Sequence, residues 1–413
     1  MSTRYDAIVI GGGATGLHAA GALAEGGLRV AVVERELVAD ERSTGVLAPS
    51  SDSDQEAWLA DRGIDLLRGS GRLAGPCAVD VDGVGHTTGH ILLATGAEPV
   101  IPPVRGLREL DGVWTSRKAT VMEPVPRRLL VLGGGRVGVE LAQKIRRLGS
   151  EVVLIERSAR VLPREAPPLG EALGVVLRRD GVELVLGTRA TGARRDGDDY
   201  VMVLGDGRQL RGDRVLVAAG RRPRVSEIGL ETLRMVPDAR GIPVDARLSA
   251  GRSLWAIGDV TGIRAPAHVG RYQARIAAAN ILGEPREARY EAVPRVASTE
   301  PQAAAVGAAE DRFASTLRSP PVGRAVTRTR GLAERDGYLT LLSDGERLTG
   351  AHALDPEAGE WIGQASLAIR ARVPLDVLSG TIRSFPTRSA TYLAALEKLR
   401  RTIATARPVS EAV

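Results

Sequence analysis

A chain of 413 residues exceeds what one hydrophobic core ordinarily fills, and 43% apolar residues with a mean hydropathy of −0.05 predict a soluble protein of two or three domains. Lysine and arginine outnumber aspartate and glutamate 56 to 50, a net charge of +6, yet only Lys118, Lys144 and Lys398 are lysines and only 3% of residues are aromatic. The arginines are interspersed with acids and form no basic stripe or stacking platform, which argues against nucleic acid as a partner.

The opening "MSTRYDAIVIGGG" has no basic region followed by an apolar run and a small-residue cleavage site, so no signal peptide is expected. No segment holds 18 uninterrupted apolar residues; no membrane partner is expected, and the cytoplasm is the default compartment. These residues include one cysteine, Cys77, so they hold no intrachain disulfide and no multi-cysteine metal site. His18, His86, His90, His268 and His352 lack zinc-ligand spacing.

The first element reads "DAIVIGGGATGLHAAGALAEGGLRVAVVE": strand, tight turn, helix, strand. Gly11, Gly13 and Gly16 form G-x-G-x-x-G, and Glu34 ends the second apolar run. Gly11 permits the sharp turn, Gly13 lets a pyrophosphate approach the backbone, and Gly16 lets helix and strand pack closely. The helix N-terminus favours phosphate, and Glu34 can accept from a ribose hydroxyl. "RRLLVLGGGRVGVELAQKIRRLGSEVVLIE" repeats the pattern with Gly133, Gly135, Gly138 and Glu156, and 23 residues separate first glycine from acid in both copies. One such motif is a weak signal; two between strands, each with its acid at the same offset, predict two related doubly wound domains holding two dinucleotides. Later apolar runs echo the pairing again, ending in Ala94-Thr95-Gly96 and Ala218-Ala219-Gly220.

A further strand, "SLWAIGDVTG", ends in Gly258-Asp259. With it the chain resembles, over nearly its whole length, the flavoprotein disulfide reductase (pyridine nucleotide-disulfide oxidoreductase) family of the lipoamide dehydrogenase and mercuric reductase type. The resemblance implies an α/β fold with two Rossmann-like domains and a C-terminal α+β dimerisation domain. It implies FAD at the first fingerprint, with Gly11, Gly13, Ala14, Thr15, Gly16, Glu34, Arg35, Thr95 and Gly96. Asp259 would hold the flavin ribityl chain, and Ala267 and His268 would open a helix facing the flavin pyrimidine. NADH or NADPH would bind through Gly133, Gly135, Arg136, Val137, Gly138, Glu156, Arg157 and Gly220. Glu156 favours NADH, although Arg157 and Arg160 offer charge to a phosphate. The implied domains are 1–112 with 238–288 for FAD, 113–237 for NAD(P) and 289–413 for dimerisation, making a homodimer. No metal is implied.

The chain departs from that family in three places. The family's Cys-x-x-x-x-Cys motif would begin near Ser43, Thr44 and Gly45, where no cysteine stands, and the long helix carrying the second cysteine reads as deleted; Cys77 reads as a buried apolar residue in a strand. The family's His-Pro-Thr-x-x-Glu is replaced by Phe385-Pro386-Thr387-Arg388-Ser389-Ala390, which removes the acid-base pair that poises a thiolate. Arg136 stands where many relatives carry an aromatic or apolar gate, and Glu140 has lost its lysine partner, so a buried carboxyl there should have a raised pKa. Disulfide reduction is therefore not expected. The expectation is an FAD-dependent NAD(P)H oxidoreductase delivering hydride through flavin directly to a small organic substrate, with Glu140, Arg136 and Phe385 as candidate catalytic residues. A flavin dehydrogenase or oxidase acting on a biosynthetic intermediate, or a non-catalytic FAD-binding protein, remains open.

Overall fold

The computed structural model describes residues 4–36, 52–119, 124–238, 240–263, 267–318, 337–384 and 389–406. The chain divides into two units: Met1–Val100, Ser116–Val121 and Gly220–Arg289 form one, and Ile101–Thr115, Met122–Ala219 and Tyr290–Val413 the other.

In the first unit, β1 (Arg4–Ile10) is the centre of a sheet because its last four residues are apolar without alternation, as a strand covered on both faces requires. It pairs in parallel with β2 (Val30–Glu34), which pairs with β3 (Asp65–Arg68). On its other side lies β6 (Val84–Leu93), followed by β18 (Leu254–Ala256) and β17 (Ser249–Gly251). A hairpin of β4 (Gly71–Gly75) and β5 (Ala78–Val81) joins β6, and β7 (Ala97–Pro99) pairs antiparallel with β16 (Arg221–Pro223). Ala7 and Val9 face α1 (Ala14–Glu25) and α6 (Ala267–Ile281), while Ile8 and Ile10 pack with Leu73, Val79, Ile228 and Leu230 on the other face.

The sequence leaves one element here unforeseen and misplaces one residue. A nine-residue helix, α2 (Asp52–Ala60), forms in the region where the long cysteine-bearing helix reads as deleted; Leu59 anchors it, 1% exposed, in the α1 core. Cys77 lies in the turn of the β4–β5 hairpin rather than within a strand. Its φ is +58° and its side chain is half-buried, because Gly75-Pro76 starts the reversal. A four-residue helix, α3 (Ser116–Ala119), completes this unit.

The second unit repeats the design with a parallel sheet ordered β11-β10-β9-β15-β8. These strands are β8 (Trp114–Thr115), β9 (Arg128–Leu132), β10 (Glu151–Glu156), β11 (Val182–Leu186) and β15 (Arg214–Val217). Helix α4 (Arg136–Arg147) links β9 to β10, and α5 (Pro167–Arg179) links β10 to β11. Strand order reverses between β9 and β15, the place where doubly wound sheets take ligands. An antiparallel sheet of β12 (Ala190–Asp196), β13 (Asp199–Leu204) and β14 (Gln209–Gly212) precedes β15.

The C-terminal part is an antiparallel sheet of β19 (Arg295–Ala297), β20 (Gln302–Gly307), β23 (Leu348–Asp355), β22 (Tyr338–Ser343) and β21 (Phe313–Arg318), in that order. Helices α7 (Ala358–Arg370) and α9 (Ser389–Ala406) both cover one face, with Trp361, Ile362, Tyr392 and Leu396 inward and the short α8 (Leu375–Gly380) between them in the chain. No described helix is long and apolar enough to cross a membrane.

His352 on β23 is 3% exposed, and its Nδ1 lies 3.3 Å from the Tyr338 hydroxyl on β22. Burial lowers its pKa from 6.5 to about 4. The unfolded ring takes up a proton as pH falls through 6.5, whereas the folded ring stays neutral until about 4. Its contribution is therefore complete above pH 6.5 and is lost as pH falls toward 4, about 2–3 kcal/mol between pH 7 and 4.5. Urea unfolding followed by tryptophan fluorescence should show a shallower loss of stability over that interval in His352→Phe than in the parent; equal slopes would remove His352 from the acid response.

Candidate functional site

Both glycine turns are built to the same atomic plan. In the first, Gly11 has φ +114°, and a Cβ on it would lie 2.4 Å from the Ala94 carbonyl oxygen at the end of β6. A Cβ on Gly16 would lie 1.9 Å from the Gly11 carbonyl oxygen. A Cβ on Gly13, by contrast, meets nothing within 4 Å, and its φ of −69° with ψ of 172° is ordinary extended backbone. Gly11 and Gly16 thus serve the fold, while Gly13 leaves open space at the start of α1, where Ala14 and Thr15 begin the helix.

The second turn reproduces these distances. A Cβ on Gly133 would meet the Ala218 carbonyl at 2.5 Å, one on Gly138 would meet the Gly133 carbonyl at 1.9 Å, and one on Gly135 meets nothing within 4 Å. Each open position lies at a helix N-terminus, where free N–H groups and the helix dipole favour an anion. These open cradles fit two pyrophosphates.

The acids at the strand ends also hold the turns. Glu34 accepts the Gly12 N–H at 2.8 Å through Oε2 and the Glu36 N–H at 2.8 Å through Oε1. Glu156 accepts the Gly134 N–H at 2.7 Å and the Ser158 N–H at 2.9 Å in the same way. Gly12 and Gly134, which fingerprint reasoning passes over, are the turn residues that donate to these acids. A Cβ there would lie 2.9 and 3.0 Å from the Cβ of the respective acid. Their signal is the uninterrupted triplet Gly-Gly-Gly at both turns.

Around the first turn, Thr15 packs against Gly258 and Gly270, so the turn meets the strand end preceding Asp259 and the first turns of α6. Thr95 donates through Oγ1 to the Arg224 carbonyl at 2.8 Å, and Gly96 follows with φ +72°. Gly258 donates its N–H to the buried Gln273 side chain at 2.6 Å, which fixes the start of the 3-10 turn carrying Asp259. Arg221, another residue not singled out from sequence, lies with Nε 3.5 Å from the Asp259 carboxylate and donates to the Ala97 carbonyl at 2.7 Å. Ala267 and His268 are exposed at the start of α6. Gly220, with φ +131°, belongs to this first unit and not to the unit containing the second fingerprint; its carbonyl accepts the Val100 N–H at 3.0 Å.

At the second turn, Arg136 is exposed as the first residue of α4, followed by half-buried Val137. Glu140, one helical turn further on, is half-buried and accepts the Ser298 N–H at 2.8 Å. Burial raises the pKa of this carboxyl, opposed by the Ser298 N–H and the Arg136 charge. Further along the same stripe, Gln143 is 3% exposed; it accepts the Glu300 N–H at 2.8 Å and donates to the Glu300 carbonyl at 2.9 Å. Arg147 then pairs with Glu300 and Asp180. Sequence alone isolates Glu140; the structure makes it one of three residues clamping α4 to the segment before β20. Phe385 and the residues Ser43 to Gly45 lie outside the described residues.

Comparison with known proteins accords with this geometry. The profile of the pyridine nucleotide-disulphide oxidoreductase family matches residues 5–278, and that of its dimerisation domain matches residues 293–395. A dihydrolipoyl dehydrogenase of Thermus scotoductus is 35% identical over 82% of this chain and 76% of its own length. Dihydrolipoyl dehydrogenase 3 of Pseudomonas aeruginosa is 33% identical over 94% of this chain and 96% of its own. Among solved structures, the HOCl-induced flavoprotein disulfide reductase RclA from Escherichia coli superposes with a TM-score of 0.83 at 25% identity, covering 95% of this chain and 99% of that one. With matching profiles over both its nucleotide-binding and C-terminal parts, the chain belongs to the pyridine nucleotide-disulphide oxidoreductase family.

Proposed function

We propose that the protein is an FAD-dependent NAD(P)H oxidoreductase that reduces a small organic substrate without a redox disulfide, and that it acts as a homodimer. The observation that carries this reading is two open glycine cradles in a chain with a single cysteine, Cys77, placed in a hairpin turn. Gly13, Thr15, Glu34, Thr95, Gly96 and Asp259 would hold FAD, with residues 1–112 and 238–288 as its domain. Gly135, Val137 and Glu156 would hold the nicotinamide nucleotide within 113–237, and 289–413 would form the dimer. Bound there, the flavin would supply two-electron transfer between nicotinamide and substrate.

This chain's own residues supply binding and proton handling. The α1 and α4 N-termini would receive pyrophosphate, and the acids at the strand ends hold each turn through its backbone N–H groups. Glu140 would exchange a proton with the substrate side: burial favours its neutral form, while the Ser298 N–H and Arg136 keep the charged form accessible. Arg136 would attract an anionic group at the helix start. The relatives named above include a flavoprotein disulfide reductase; a single cysteine supports direct delivery in place of a thiol relay in this chain.

Anaerobic mixing tests the reading directly. NADH or NADPH should bleach the flavin absorption band, and failure with both nucleotides would favour a non-catalytic flavin-binding protein. Gly135→Ala places a methyl in open space on ordinary backbone, so the variant should fold and retain FAD while its Kd for nicotinamide nucleotide rises about tenfold or more. An unchanged Kd would remove the pyrophosphate from that turn.

Glu140→Gln keeps an oxygen that accepts the Ser298 N–H and removes only the ionisable function. Flavin reduction by nucleotide should stay within about twofold, while reoxidation by a two-electron quinone acceptor should slow by about 100-fold. Equal slowing of both half-reactions would reject the proton-transfer role.

A further inference from the structure

Just beyond the carboxyl ends of β10 and β11 lies a cleft of about 460 Å³ whose lining includes Arg157, Arg189 and Arg208. Its single lining acid, Asp206, is committed to Arg208, with contacts of 2.7 and 2.9 Å. Among the described residues, neither Arg157 nor Arg189 has a carboxylate within ion-pair distance. Both are exposed, and Arg157 directly follows the second fingerprint acid. The two strand exits are tied together by the Gly187 N–H donating to the Ser158 carbonyl at 2.9 Å, so the cleft has a fixed floor.

The first fingerprint provides an internal control. Its strand exit runs Glu34-Arg35-Glu36, and the second runs Glu156-Arg157-Ser158. The third residue of each donates its N–H to the fingerprint acid, so Glu36 and Ser158 hold the same position. At the first exit, Glu36 pairs with Arg35 at 3.3 Å and also with Arg117. At the second, serine replaces that acid, and Arg157 is left beside Arg189. The surplus positive charge belongs to the second exit alone. Glu156 is also only 7% exposed, with both oxygens accepting backbone N–H groups, so its charge is turned inward and repels an anion at the exit less than an exposed acid would.

Resting on the reading of the second fingerprint as the nicotinamide-nucleotide site, we propose that this cleft is a phosphate-monoester subsite for the 2′-phosphate of the adenosine ribose. Arg157 and Arg189 are its specificity-determining residues, and the protein selects NADPH over NADH. This reverses the preference that Glu156 alone suggests. A ribose whose hydroxyls face Glu156 carries any 2′-substituent toward the strand exit, and guanidinium groups match a phosphate with paired N–H donors.

The test is calorimetric titration of the FAD-loaded protein with 2′,5′-ADP, 5′-ADP and inorganic phosphate. Wild type should bind 2′,5′-ADP about tenfold or more tightly than 5′-ADP, and Arg157→Ala and Arg189→Ala should each reduce that preference to about twofold or less. Equal affinity for the two ADPs in wild type, or a preference untouched in both variants, would overturn the proposal. Inorganic phosphate binding as tightly as 2′,5′-ADP would overturn it too, marking a site for free anions. If neither nucleotide bleaches the flavin yet the ADP preference holds, the hydride-transfer reading fails and the subsite stands. If both bleach it with equal kcat/KM and the ADPs bind alike, the subsite fails and the hydride-transfer reading stands.

Discussion

The carbonyl oxygen of Gly11 occupies the place where any side chain on Gly16 would begin, and the carbonyl of Gly133 does the same to Gly138. This double close approach is the constraint on which both nucleotide-binding halves depend. It brings the first turn of each helix down onto the end of its strand, so the free N–H groups point out over the sheet. The space above the turn is then closed by Ala94 or Ala218 on one side and left open at Gly13 or Gly135 on the other. Closure and opening both arise from side chains missing within one glycine turn. A substitution can therefore damage the fold at one glycine and only the ligand at another.

The strand-end acids connect this frame to chemistry. Each carboxylate accepts one N–H from the glycine triplet and one from its own strand exit. An ionised carboxylate offers about four lone-pair sites, so two remain for a ribose without loosening the turn. The two copies share this frame but differ in the charge beyond the acid. Arg35 is balanced by Glu36, while Arg157 stands next to Ser158 and across a cleft from Arg189. Two copies with matching backbone hydrogen bonds thus carry different electrostatic faces, because charge at an exposed strand exit can change without disturbing the buried turn.

The repeated frame is legible in the order of residues alone. The glycine spacing, the apolar runs of β1 and β9 and the offset to each acid are local patterns, and local patterns survive in a one-dimensional reading. Elements decided by packing are harder to read. Helix α2 has few apolar residues, and the partial burial of Trp58 with the full burial of Leu59 holds it on α1 more than its own periodicity does. Cys77 reads as strand although Gly75-Pro76 marks a reversal, because the short strands on both sides merge into one apolar-looking run. The cleft at Arg157, Arg189 and Arg208 joins three separate stretches of chain, and the Gln143–Glu300 contact spans 157 residues. Neither can be inferred from spacing, since only the fold makes them neighbours.

Glu140 combines a clamp contact with a shifted carboxyl. Glu140, Gln143 and Arg147 fall on one face of α4, and all three grip residues 298–300. Gln143 and Arg147 alone give that grip four hydrogen-bonding contacts with Glu300, including both its backbone N–H and its carbonyl. Against that anchorage the single Ser298 N–H contributes little to fixing α4, on the order of 1 kcal/mol. Its larger effect is on Glu140 itself. One backbone donor and Arg136 offset part of the burial cost, while burial still raises the pKa. The neighbouring clamp holds the helix, which leaves this carboxyl free to change protonation without releasing α4, as the proposed proton transfer requires.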